Sequence, residues 1–186
     1  MSCIDDIRFI DVEASSFDGY PIEIGWADLH LKTESHLLIP LSGWTEDEWS
    51  YESEQVHGIS REDLFRSGTP AEQVAKRLNE MLSRKLVLSD APLFDIHWLA
   101  RLFADTGIRQ DFFIGDYYKA VQEFTGLCLD NRPSETAALM LAVEDRYPHI
   151  HRAGHDALQM AAKWRALIDP VFVEDLYKRP SLVKDR

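Results

Sequence analysis

Cysteine is nearly missing from this chain: Cys3 and Cys128 are the only two. Neither stands at metal-ligand spacing, and two do not make the disulfide framework of a small secreted domain. A reducing, cytoplasmic setting is therefore expected. No stretch approaches 18 uncharged apolar residues in a row, and the opening Met-Ser-Cys-Ile-Asp-Asp lacks a basic segment ahead of an apolar run. Neither a membrane span nor a secretory signal is expected. Basic residues are also in short supply, 20 against 32 acidic ones, for a net charge of −12. That balance argues against a broad electropositive face for duplex DNA. It leaves room for nucleic acid held at one pocket through metal ions. Internal repeats and low-complexity tracts are missing as well. What is present, 186 residues with 45% apolar, suffices for a substantial core. The expectation is one domain over 1–186, with its core over about 7–168 and a C-terminal extension over 169–186.

The stretch Ile7-Arg-Phe-Ile-Asp-Val-Glu13 reads as a central strand. Side chains alternate across a strand, so Ile10 and Val12 share one face while Ile7, Phe9, Asp11 and Glu13 share the other. Apolar residues on both faces suit a strand covered on both sides. The second face turns acidic as the strand ends. Two carboxylates ~4 Å apart repel by ~4 kcal/mol at an effective dielectric near 20, so either a cation sits between them or the strand runs out into water.

Downstream, an Asp18-Gly19 turn leads into strands over 21–31 and 33–40, completing an antiparallel meander. Residues 45–54 are acidic, carry Trp49 and Tyr51, and read as an exposed connection. Ser60 with Asp63 three later is a capping pattern for a short helix. A helix over 70–84 follows, with Val74, Leu78, Met81 and Leu82 on one side. Then come a short strand at 86–88, a helix over about 92–104, a possible strand at 112–114, and helices near 116–125, 134–145 and 155–168. A meander followed by strands alternating with helices means α/β with a mixed sheet of about five strands flanked by helices.

Two further acids align with apolar stripes. Asp95, Leu99 and Leu102 stand at i, i+4 and i+7 behind a first-turn Pro92. Asp156 is followed by Met160, Trp164 and Leu167 in the same manner. Either is also what a helix dipole attracts, and histidines such as His151 and His155 are common at polar helix starts. Taken together, however, Asp11 and Glu13 end a central strand, while Asp95 and Asp156 begin inward-facing helices. Open α/β sheets bind ligands at the carboxyl ends of their strands. Four carboxylates converging there need divalent cations, and oxygen ligands suit Mg²⁺ or Mn²⁺.

Asp-x-Glu in a strand, Phe94-Asp95 at a helix start and His151-x-Ala153-x-x-Asp156, in this order, resemble the DEDDh (DnaQ-like) 3′-to-5′ exonucleases. Val56-His57-Gly58-Ile59 is similar to a recurring segment of that family. The resemblance covers about residues 7–164. It implies an RNase H-like fold and a two-metal site in which Asp11 bridges two ions. Glu13 and Asp156 complete one site and Asp95 the other, with His151 as general base. His149 and His155 are rivals without the family spacing. The resemblance also implies that Ala14, Ser15, Ser16 and Phe17, together with His57, hold the terminal nucleotide. Phe17 either stacks on a base or folds onto the core.

The chain departs from the family pattern at Ala14-Ser15-Ser16, where many members have Thr and then Gly. It departs again at Ser89-Asp90, where many have His-Asn. Metal and base positions are intact. The implied partner is a short 3′ end of single-stranded DNA or RNA, and a homodimer is also expected as a partner. Arg101 and Arg152 are candidate phosphate contacts, though solvated helix charges fit them too. The reading from another class is a catalytically idle relative that binds nucleic acid or protein through the acidic segment 45–54.

Overall fold

The computed structural model describes residues 6–126 and 134–178, so Cys3 and Cys128 lie outside the described residues. Its organising element is β1 (Ile7–Ala14). β2 (Pro21–Asp28) pairs antiparallel with β1, and β3 (Thr33–Ile39) pairs antiparallel with β2. On the other side of β1, β5 (Leu86–Ser89) and β6 (Ile114–Asp116) run parallel to it. A two-residue strand, β4 (Thr69–Pro70), edges β3, giving the order β4-β3-β2-β1-β5-β6. The sheet is mixed as expected, with β4 as an extra short edge. The expected strand at 112–114 begins at Ile114 instead, because Phe112 is spent on packing against Phe103.

The two faces of β1 divide the core as their alternation requires. Ile10 and Val12, with Ile22, Ile24 and Trp26 of β2, are buried beneath α3 (Ala71–Leu82) and α4 (Pro92–Thr106). Ile7 and Phe9 face the other way. They pack with Tyr117, Val121, Met160 and Trp164 of α5 (Tyr117–Thr125) and α7 (Ala153–Ile168). Each such large side chain contributes roughly 1.5–3 kcal/mol by leaving water.

Two expectations are corrected. Segment 45–54 is not simply an exposed connection. It holds a 3-10 turn (Glu46–Glu48) and the start of α1 (Tyr51–His57). Trp44 before it is fully buried and stacked on Tyr20, while Trp49 packs against the same cluster. The acids stay outward while the tryptophans anchor the segment. The chain beyond 168 is, over Pro170–Lys178, a helix (α8) that buries Phe172 and Leu176 against Met140 and Val143 of α6 (Ser134–Arg146) and Ala162 and Ala166 of α7. Pro170 only starts it. The capping pattern at Ser60 is present: its hydroxyl accepts from Asp63 N–H and Asp63 reaches back, opening α2 (Arg61–Ser67). Among the described residues no helix is long and apolar enough to cross a membrane.

Candidate active site

Parallel strands β1, β5 and β6 end at one edge of the sheet, and that edge carries the acids. Asp11 and Glu13 project from the Phe9 face of β1, just ahead of a bulge between Glu13 and Ala14. Asp156 comes to them from α7, and a glycine contact sets how close it comes. Gly25 lies across from Asp11 in β2. A Cβ at Gly25 would stand 2.2 Å from the backbone N of Gly154, so only glycine lets the first turn of α7 rest on the sheet here. As a result Asp11, Glu13 and Asp156 each offer a carboxylate oxygen within 4.8 Å of the others. Asp156 is fixed further by backbone donors. Ile150 N–H donates to its Oδ1 at 3.0 Å and Arg152 N–H to its Oδ2 at 3.2 Å.

Asp95 is buried in the first turn of α4. Ser89, at the end of β5, donates its hydroxyl to Asp95 Oδ2 at 2.5 Å and accepts Ala91 N–H at 3.0 Å. Asp95 does not join the three-carboxylate group, but its charge is felt by Asp11. Burial, and then the neighbouring charges of Asp95, Glu13 and Asp90, push the Asp11 carboxyl well above its ordinary range. Burial and then Asp156 and Glu23 raise Glu13 to about 7. Burial raises Asp95 to about 8, against the pull of the Ser89 hydrogen bond. Asp90, in turn, is raised by its own burial. Among the described residues no Lys or Arg forms an ion pair with Asp11, Glu13 or Asp95. The nearest guanidinium, Arg152, is committed to Glu23, with both contacts at 2.9 Å. Among the described residues the charge nearest to offsetting Glu13 is Arg152, itself paired with Glu23, so the group has the oxygen ligands and the charge that a divalent cation takes.

Histidines border the cluster. His151 sits in the loop before α7 with φ of 55°, a left-handed conformation that a non-glycine residue adopts at a cost of order 1–3 kcal/mol. Its Nδ1 is 3.2 Å from Nε2 of His149, and His149 Nδ1 is 3.4 Å from Asp156 Oδ2. His155 is more remote, its Nδ1 lying 3.8 Å from Asp156 Oδ1. His57, at the end of α1, is 5% exposed. Its Nδ1 accepts Ile59 N–H at 3.0 Å, so the proton belongs on Nε2, which is buried without a hydrogen-bond partner. Burial lowers its pKa and keeps it neutral.

A cleft of about 270 Å³ opens beside Glu13 and is lined by Ala14, Ser16, Phe17, His57, Trp98 and His151, with Ser53 and Val56. Of the expected nucleotide-holding residues, Ser15 alone is absent from it. Ser15 is fully buried, accepting Tyr20 N–H and donating to the Glu48 carbonyl. It ties the loop rather than facing the cleft. Phe17 does not fold onto the core: it is 70% exposed. Its ring meets Phe94 at 5.3 Å, Phe94 stacks on Trp98 at 5.8 Å, and the Trp98 indole N–H donates to the Phe17 carbonyl at 3.1 Å. Together they form an aromatic ledge at the mouth. Arg101, like Arg152, is already paired, reaching Glu48 at 2.5 and 3.1 Å.

Sequence reasoning missed Ser89, Gly25, Trp98 and the Glu23–Arg152 pair. Ser89-Asp90 registered only as a departure from a pattern. The glycine contact predicts that Gly25→Ala forces α7 off the sheet. We expect destabilisation of ~1–3 kcal/mol, as for other overpacked cores, and weakened Mn²⁺ binding. The control is Gly43→Ala, whose Cβ would meet nothing within 4 Å. Equal melting temperatures and Mn²⁺ affinities for the two variants would refute this account.

No protein-family profile matches the chain, and no curated protein matches it by sequence. Solved structures do. One of exonuclease I, described as suggesting how processivity is achieved, aligns with a TM-score of 0.62 at 14% identity, over 92% of this chain and 43% of that one. The zinc-bound complex of E. coli exonuclease I with single-stranded DNA gives 0.62 at 14%, over 92% and 42%. Exonuclease I from Methylocaldum szegediense gives 0.58 at 13%, over 92% and 42%. This chain spans less than half the length of these neighbours. At such identities the likeness is one of fold: the chain has the RNase H-like fold, α/β with a mixed central sheet flanked by helices.

Proposed function

We propose that this chain is a metal-dependent 3′-to-5′ exonuclease of the DEDDh type. It acts on the 3′ end of single-stranded DNA or RNA and releases 5′-mononucleotides. The observation that carries this reading is the group formed by Asp11, Glu13 and Asp156, with oxygens within 4.8 Å and no Lys or Arg paired to it among the described residues. Fold likeness to exonuclease I, one example of which holds zinc and single-stranded DNA, supports it.

Asp11, Glu13 and Asp156 would hold one Mg²⁺ or Mn²⁺, and Asp95, with Asp11 shared, the other. Ions bound there stabilise the attacking and leaving oxygens of a phosphate displacement. The chain supplies the rest. His151, at the cleft wall beside Glu13, takes the proton of the attacking water. His57, neutral and with Nε2–H unspent, donates to the terminal nucleotide. Phe17, braced by Phe94 and Trp98, offers a stacking surface worth ~1–3 kcal/mol per base. With both nearby arginines already paired, the grip is confined to the last few nucleotides.

A 5′-labelled single strand incubated with Mn²⁺, and then with chelator, tests the reading. We expect stepwise shortening from the 3′ end, abolished by chelator. Cleavage of a circular single strand would show an endonuclease instead. His151→Gln should lower the rate ~10²–10⁴-fold, the usual worth of a positioned base, while Mn²⁺ still binds. If His155→Gln were the crippling change, the base would be misassigned.

A further inference from the structure

Two imidazoles, His149 and His151, stand near Asp156 beside the carboxylate group. We propose that His149, His151 and Asp156 form a second metal site, one for a transition ion of the zinc type, and that filling it switches hydrolysis off. The binding part stands on geometry alone; the switching part rests on the exonuclease reading above.

One ligand atom from each of the three residues lies within 4.8 Å of the other two. His149 Nε2 is 3.2 Å from His151 Nδ1, and His149 Nδ1 is 3.4 Å from Asp156 Oδ2. The two contacts use different His149 nitrogens, of which one ion binds a single one, so the His149 ring must turn to bring ligand atoms now within 4.8 Å of one another to the about 3.3 Å spacing of a tetrahedral zinc site. Asp156 is already fixed by two backbone N–H groups, and a carboxylate so held keeps lone pairs for a metal. The His149 side chain is 47% exposed, and His151 is exposed beside it. An ion therefore arrives directly from solvent and retains a position for water.

The donor sets separate the two sites. Asp11, Glu13 and Asp156 offer only oxygen, which suits Mg²⁺ or Mn²⁺. Two imidazole nitrogens with one carboxylate favour Zn²⁺, Co²⁺, Ni²⁺ or Cu²⁺. Asp156 belongs to both sets, so the sites compete. His151 bound to a dication cannot also accept a proton. Zinc at this second site removes the base and a carboxylate ligand in one event.

The test is a Co²⁺ titration of the intact protein in excess Mg²⁺, read by visible absorption, followed by Zn²⁺ displacement. We expect one Co²⁺ with an imidazole-ligand spectrum. Its affinity should fall at least the ~10–100-fold that losing even an outer partner costs in His149→Gln and in His151→Gln. It should persist in Glu13→Gln, whose carboxylate serves the other site only. Stoichiometric Zn²⁺ should suppress Mg²⁺-supported hydrolysis of wild type but not of His149→Gln, with circular dichroism confirming the variants' fold. Wild-type Co²⁺ affinity in His149→Gln, or loss in Glu13→Gln alone, overturns the site. Equal zinc sensitivity of wild type and His149→Gln overturns the switch. A chain that binds Co²⁺ through both histidines and hydrolyses no strand in any metal leaves the site standing and removes the exonuclease reading.

Discussion

We expect Asp11→Asn to abolish the proposed hydrolysis and, in the same protein, to raise the melting temperature measured without metal. Both effects come from one position. Asp11 faces Glu13 and Asp156 at ligand distance and feels the charge of Asp95. In the proposed site it touches both ions, and losing it forfeits several kcal/mol of transition-state stabilisation. At ~1.4 kcal/mol per tenfold, that is about a 10³-fold loss or more. Without metal the same carboxylate is a liability. Its neighbours are acids, and no Lys or Arg offsets it within ion-pair distance among the described residues. An amide of nearly the same shape removes the repulsion. Functional sites commonly give back ~0.5–2 kcal/mol of stability when relieved in this way, or ~2–4 °C per kcal/mol for a chain this size. Thermal melts of wild type and variant in chelator, beside turnover at saturating Mn²⁺, read both effects. Normal turnover would remove Asp11 from the site. A lowered metal-free melting temperature would show that the carboxylate has a favourable partner in the fold.

The acids themselves were legible in the sequence, because burial and charge conflict at each of them. Alternation along Ile7–Glu13 put Asp11 and Glu13 on the Phe9 face, and that face does pack on Tyr117 and Trp164. Helical spacing turned Asp95 and Asp156 inward, and both are buried. What periodicity does not carry is the identity of the opposing element. Gly25 reads as a weak point in a strand, yet it is where α7 lands. Only the pairing Asp11↔Gly25 across β1 and β2 shows that the landing sets the position of Asp156. The acids of 45–54 set its reading as exposed although Trp49 was seen there, since composition averages over residues that face opposite ways, and Trp44 just before the segment anchors it as well. Ser15 was expected at the substrate because the resemblance places the residues after Glu13 there, but its hydroxyl is consumed within the loop. The strongest structural feature of Asp95, the Ser89 hydrogen bond, joins residues six apart across a strand-to-helix turn, and no repeat period reports such a contact.

Without metal, stability should fall as pH rises from about 7 to about 9, and divalent ions should reverse the trend. Unfolded carboxyls titrate near 4. In the folded protein Asp95 is raised to about 8, chiefly by burial, Glu13 to about 7, and Asp11 well above its ordinary range. Below about 4 these groups are protonated in both states and cost nothing. Above that, the folded state retains protons that the unfolded state releases. Stability therefore declines with a slope of ~1.4 kcal/mol per pH unit for each proton that differs. The decline ends once pH passes the folded pKa. Asp95, fully enclosed, contributes more than partly exposed Glu13.

Groups shifted downward act elsewhere on the scale. Asp63 and Asp169 are lowered by hydrogen bonds, so what they add is lost only in acid. His57 is lowered by burial, and what it adds is lost as pH falls below its unfolded value near 6.5. Above about 7 the acid cluster is left to set the slope. Divalent ions require the deprotonated carboxylates, so their affinity rises over the same interval. Their stabilisation grows as RT ln(1 + [L]/Kd). The melting-temperature gain on adding Mn²⁺, or Ca²⁺ at matched concentration, should therefore be small at pH 6 and several-fold larger at pH 9. Asp11→Asn and Asp95→Asn should each flatten both curves. A metal-free melting temperature that holds steady or climbs between pH 7 and 9, with equal Mn²⁺ gains at both ends, would mean that the carboxylates are neutralised by something other than a divalent ion.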